Sequence, residues 1–145
     1  MPRKTLIVTT LAAIIGLGSV PAMAGNSVFI DQFGFGNEAG GEQAGHGNAI
    51  GVYQNGVFNG AISKQYGNGN TAAVGQEGFN NFADTWQNGN GNSAGVGQFG
   101  ADHNAILTQD GNGNTAAGVQ VGNGCSADVA QSGGGNVAAF VQVCP

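Results

Sequence analysis

Few side chains of this 145-residue chain could do covalent chemistry. It holds two cysteines, Cys125 and Cys144, two histidines, His46 and His103, and eight carboxylates against three basic residues. Two thiols can form a disulfide or stay free, but two ligands fall short of a metal site. His46 falls in a turn and His103 takes a position that Asn holds in other repeats, where both read as polar substitutes and not as ligands. No Ser/His/Asp arrangement or paired carboxylate emerges. Gly95-Val96-Gly97-Gln98-Phe99-Gly100 fits a Gly-x-Gly-x-x-Gly pattern, but no strand-to-helix unit surrounds it. No catalytic residue, metal set or cofactor site is therefore expected. Past residue 24 the only base is Lys64, against eight acids, for a net charge near −7. That charge excludes a phosphate-binding surface and with it nucleic-acid binding by charge.

The abundant chemistry is that of amides. The chain has 17 Asn, 11 Gln and 29 Gly. The glutamines are Gln32, Gln43, Gln54, Gln65, Gln76, Gln87, Gln98, Gln109, Gln120, Gln131 and Gln142, and every step is eleven residues. Gly follows each by two until Cys144 breaks the series. Asn follows by five at Asn37, Asn48, Asn59, Asn70, Asn81, Asn92, Asn114 and Asn136, with His103 and Cys125 as exceptions. Ala follows by seven except at Ile50. A disordered low-complexity chain keeps no such register. A second period overlies the first. The turns after Gln43, Gln65, Gln87, Gln109 and Gln131 read Gly-x-Gly-Asn, so alternate units resemble each other and the structural repeat is 22 residues.

The elements that must position these amides follow from parity. The positions five, seven, nine and eleven after a Gln differ by even numbers, and residues two apart share one face of a strand. Asn, Ala, a variable and often apolar residue, and the next Gln therefore point inward along a strand of about seven residues. The four residues after each Gln form the turn, with Gly supplying the backbone freedom. The expected fold is an all-β, amyloid-competent solenoid of stacked 22-residue strand-turn-strand coils. Inward amides are costly singly, but in a column each donates to one neighbour and accepts from the other. A 22-residue step also sets Glu42 beside Lys64 and no acid beside another. No helical period of apolar residues occurs past residue 24.

Residues 1–24 have the layout of a secretory leader. Arg3 and Lys4 precede an apolar run over Leu6–Leu17, and Ala22-Met23-Ala24 offers a cleavage site. The run is too short to span a bilayer, which takes about 20 residues. The mature chain would begin at Gly25, with residues 25–145 as one repeat domain of about eleven units. No integral membrane segment is expected after cleavage.

Gln65-Tyr66-Gly67-Asn68-Gly69-Asn70-Thr71-Ala72-Ala73-Val74-Gly75-Gln76 resembles the curlin repeat. The resemblance covers essentially all of 25–145. It implies a subunit of curli, the extracellular amyloid fibres of Gram-negative bacteria, serving adhesion and biofilm matrix at the cell surface. It also implies a dedicated secretion channel, chaperones and self-association or a related curlin subunit as partners. By the same resemblance the inward Gln and Asn drive stacking. The chain departs from the family pattern in three ways. Its repeats start within two residues of the cleavage site, Ser27 is five before Gln32 where the family has Ser six before, and it carries cysteines.

Cys125 and Cys144 fall at the same corner of consecutive coils. The first expectation is an intramolecular staple, with intermolecular pairing or free thiols as alternatives. Asp84, Asp102, Asp110 and Asp128 read as gatekeepers against premature stacking. Trp86, Tyr53 and Tyr66 fall at outward or turn positions. The alternative to a fibre subunit is a monomeric β-solenoid whose face binds ice, polysaccharide or another surface. Thr71 and Thr115 share an outward column, but Glu38, Phe82 and Asn104 interrupt any regular row.

Overall fold

The computed structural model describes residues 25–145. The leader expected over 1–24 lies outside the described residues. Eleven β-strands follow one another with two-residue breaks: β1 Ser27–Phe35, β2 Glu38–His46, β3 Ala49–Val57, β4 Gly60–Asn68, β5 Thr71–Phe79, β6 Phe82–Asn90, β7 Ser93–Ala101, β8 Asn104–Asn112, β9 Thr115–Asn123, β10 Ser126–Gly134 and β11 Val137–Val143. The described residues contain no helix.

Odd strands form a six-stranded sheet in the order β1-β3-β5-β7-β9-β11, and even strands a five-stranded sheet, β2 to β10. We call these sheet A and sheet B. All pairings are parallel with partners 22 residues apart, so Gln54 faces Gln76 and Gln76 faces Gln98. Glu42 faces Lys64 on sheet B. The fold is thus a two-sheet β-solenoid with one strand of each sheet per coil.

The strands are longer than the spacing suggested: nine residues in all but β11, with a two-residue break in place of a four-residue turn. The glycine two after each Gln explains the difference. It stays in the parallel ladder while its φ of +99° to +132° bends the strand. A methyl group at Gly67 would lie 2.0 Å from the carbonyl oxygen of Gly89 one coil on, so successive backbones approach as only Gly allows. The break itself holds one left-handed residue and then the Asn-position residue. After odd strands these pairs are Gly36–Asn37, Phe58–Asn59, Asn80–Asn81, Asp102–His103 and Gly124–Cys125, which form the first corner. After even strands they are Gly47–Asn48, Gly69–Asn70, Gly91–Asn92, Gly113–Asn114 and Gly135–Asn136, which form the second.

Between the sheets lie the columns expected to face inward. Ala61, Ala72, Ala83, Ala94, Ala105 and Ala116 are buried beside Val52, Val74, Val96 and Leu107. Small alanines let the sheets approach, and local exceptions compensate each other. Ile50 takes an Ala position and fills the space over Gly41, where an added methyl would sit 3.4 Å from its Cδ1. The Phe140 ring lies where a Gly118 side chain would project.

Candidate functional site: the amide ladders and their ends

Each glutamine side chain reaches along the stack and across it. From Gln32 to Gln120, Nε2 of each Gln donates to Oε1 of the Gln one coil further in its own sheet, at 2.6–2.9 Å. From Gln43 onward the other Nε2 hydrogen goes to a backbone carbonyl of the opposite sheet, as from Gln54 to Glu38 at 2.9 Å and from Gln87 to Thr71 at 2.9 Å. One side chain therefore ties two coils and two sheets together. Gln54 through Gln131 are buried, whereas Gln32, Gln43 and Gln142 at the ends of the stack keep contact with solvent. Among the described residues no buried side-chain nitrogen or oxygen lacks a partner. That satisfaction makes a polar interior tolerable.

The asparagines close the corners. Oδ1 of Asn48 accepts the backbone N–H of Asn70 at 2.9 Å, and its Nδ2 donates to the Gly67 carbonyl at 2.8 Å. The same pattern repeats from Asn70 to Asn92 and Gly89, and from Asn92 to Asn114 and Gly111. At the first corner Asn37, Asn59 and Asn81 do likewise toward Gly56, Gly78 and Gly100. Asn37 and Asn136 are the less buried members, and Asn26 starts the second-corner column by accepting the Asn48 N–H.

The two exceptions in the Asn series fill the same role with other chemistry. His103 is buried; its Nδ1 accepts the Cys125 N–H at 3.1 Å and its Nε2 reaches the Phe99 carbonyl at 3.2 Å. This partnership puts the ring proton on Nε2, so a neutral imidazole imitates the acceptor-and-donor pair of an Asn amide. Cys125 is bonded to Cys144 with a Cα–Cα distance of 5.6 Å and a separation of 19 residues. Nineteen is also the separation between each corner Asn and the glycine carbonyl that it binds. The disulfide thus stands where the inter-coil hydrogen bond stands in other coils.

A further amide column escaped the sequence reading. Asn68, Asn90 and Asn112 line the outside of the second corner. Asn90 Oδ1 accepts from the Asn68 backbone N–H and Nδ2, both at 3.1 Å, and Asn112 repeats this for Asn90. Their signal was the Gly-Asn-Gly-Asn turns recurring every 22 residues, which we read only as turn chemistry.

The acids are distributed on the outside. Asp102 and Asp110 accept from Asn80 and Asn88, at 2.7 and 3.0 Å. Burial pushes the half-covered Asp84 carboxyl above its ordinary range, and the charge of Lys64 opposes that shift. His46 lies exposed at the second corner and Tyr66 pairs with Trp86 at 6.5 Å between ring centroids. No group of three or more His, Cys, Asp or Glu among the described residues is placed to hold a metal ion.

What this arrangement can do is add coils. Gln32 and Gln43 present Oε1 acceptors at one end, which no Gln among the described residues fills. Gln131 and Gln142 each have one Nε2 hydrogen committed to a carbonyl and one directed onward. The chain matches the family model described as Curlin associated repeat in three segments, residues 24–56, 45–78 and 79–111, which together cover more than half of it. The same register continues without change through β9, β10 and β11. A comparison with curated proteins returned no match.

Proposed function

The chain belongs to the curlin-repeat family, and from that premise we propose that it is a non-enzymatic structural subunit polymerising end to end into curli-like amyloid fibres. These fibres serve adhesion and biofilm matrix on the bacterial cell surface. Residues 1–24 direct export and are removed, and Gly25 opens the mature chain. The partners are further copies of the chain, a related curlin subunit, and the secretion channel and chaperones that keep the subunit unassembled during export.

The observation that carries this reading is the polarity of the glutamine ladder. Among the described residues, unfilled acceptors at the β1/β2 end complement unfilled donors at the β10/β11 end, and both ends carry strand edges without a partner in the same parallel register. An incoming copy can extend every ladder of the stack at once, which is the arrangement of cross-β assembly. The test is X-ray diffraction from the chain from Gly25 onward, left at neutral pH and pelleted. Reflections near 4.7 Å and 10 Å from an aligned pellet are expected. A chain that stays monomeric and β-rich would overturn the polymer and favour a surface-binding solenoid.

A further inference from the structure

The two outer faces of the solenoid differ in chemistry. Sheet A exposes large apolar side chains along its length, among them Phe29 at 66%, Phe33 at 52%, Tyr53 and Phe99. Only Asp31 and Glu77 bring charge to its strands. Sheet B carries Glu38, Glu42, Asp84, Asp110, Asp128 and the single base Lys64. Its one large exposed hydrophobic residue is Phe82. An apolar face of this extent marks an interaction surface.

We propose that sheet A docks against sheet A of a second copy of this chain, face to face, with the two stacks antiparallel. Charge selects this pairing from the three available. Sheet B against sheet B would bring ten carboxylates together, and sheet A against sheet B would strip water from carboxylates without pairing them. Spacing selects the occupant. The columns of sheet A repeat once per coil, about 4.8 Å, and another β-stack presents side chains at that same interval over the whole face.

Shape then sets the orientation. Sheet A has a groove of about 430 Å³ whose floor includes Gly51, Ala73, Gly75 and Gly95, and whose walls are Phe29 and Tyr53. Consider a two-fold axis lying in the interface, parallel to the strands and level with the gap between β3 and β5. It exchanges β1 with β7 and β3 with β5 while keeping each column opposite itself. Phe29 of one copy then meets Gly95 of the other, and Tyr53 meets Gly75. Phe33 comes opposite Phe99. Bulk meets glycine at Phe29 and at Tyr53, with the Phe33–Phe99 contact beside them, whereas parallel stacks would run facing strands in opposite directions and could keep no more than one column opposite itself.

Phe29 is the position to probe, because β7 lies three strands from β1 within one copy, about 14 Å away. A benzoylphenylalanine photo-crosslinker replaces Phe29 in the chain from Gly25 onward, and adducts are mapped by mass spectrometry. The expected result is an intermolecular adduct on Ser93–Ala101, reduced at least about tenfold by Gly95→Glu, which would bury an unpaired carboxylate. Gly95 has open space around it and an ordinary backbone, so this variant keeps the fold. Thr108→Glu, on sheet B, leaves the adduct unchanged. Adducts confined to β10 or β11 would overturn face pairing while leaving end-to-end growth intact. A monomer with no adduct would overturn both.

Discussion

The two corners of the solenoid solve one problem in different ways. At the second corner every left-handed position is glycine, every inner position is asparagine, and an outer asparagine column reinforces the turn. At the first corner the left-handed positions include Phe58, Asn80 and Asp102, the inner column ends in His103 and Cys125, and the outer side carries Phe35, Phe58 and Phe79 in edge-to-face contact at 5.7 and 6.0 Å. Both corners nevertheless hold the same 22-residue register. What the coil requires is therefore narrower than what the repeat displays: a glycine where backbones meet, and an acceptor-and-donor pair or a covalent link at the inner position.

The largest effect should come from breaking the requirement shared by both corners. Gly89→Ala places a methyl 1.9 Å from the Gly111 carbonyl oxygen, a backbone atom fixed by the ladder. Loss of more than about 4 kcal/mol is expected, enough to leave the chain unfolded. Gly91→Ala, two residues away, meets nothing within 4 Å and has only its φ of +65° against it. It should cost about 1–2 kcal/mol. Urea denaturation of the two variants separates them, and equal losses would show that conformation, not contact, explains the glycine column.

The next comparison concerns the covalent link. A bridge over 19 residues contributes about 3 kcal/mol by constraining the unfolded chain. Reductant should therefore lower the denaturation midpoint of the native chain and speed hydrogen exchange in β11 and just past its end, where Cys144 N–H is bonded to the Val121 carbonyl. Cys125→Asn combined with Cys144→Gly puts back the hydrogen-bonded corner of the other coils. That variant should fall below the oxidised protein, above the reduced one, and ignore reductant. A double variant less stable than the reduced protein would mean that the disulfide does not stand in for the amide bond.

Much of this was legible beforehand because one number, eleven, governs both the side chains and the backbone. Period-two parity told which face Asn48, Val52 and Gln54 occupy, and their burial follows it. The strand limits are not legible in this way, because glycine signals a turn by type and here stays in the ladder. Gly34 and Gly67 must be glycine within the ladder because the neighbouring backbone comes so close, and that contact is between residues 22 apart. Asn68, Asn90 and Asn112 were missed for a related reason. Every turn is rich in asparagine, and the difference between a turn amide and a ladder amide is the direction of its side chain. Compensations such as Ile50 over Gly41 join one sheet to the other, a relation that strand periodicity does not encode.

The smallest effect tests how the first corner tolerates its irregular residues. Asn80 and Asp102 have φ of 53° and 56°, where glycine is more at ease by about 1 kcal/mol. They also share one exposed hydrogen bond, Asn80 Nδ2 to Asp102 Oδ1 at 2.7 Å, of the kind that contributes about 1 kcal/mol or less. Asn80→Gly relieves one strained residue and loses that bond, so its net effect should be near zero, and Asp102→Gly should behave the same way. The double variant relieves two residues and loses the bond only once, so it should gain about 1 kcal/mol over the native chain, measured as a shift in denaturation midpoint. Strict additivity of the two single variants would mean that the bond contributes nothing at this exposed site. A loss in the double variant would mean that side chains across successive coils hold this corner more firmly than backbone strain loosens it.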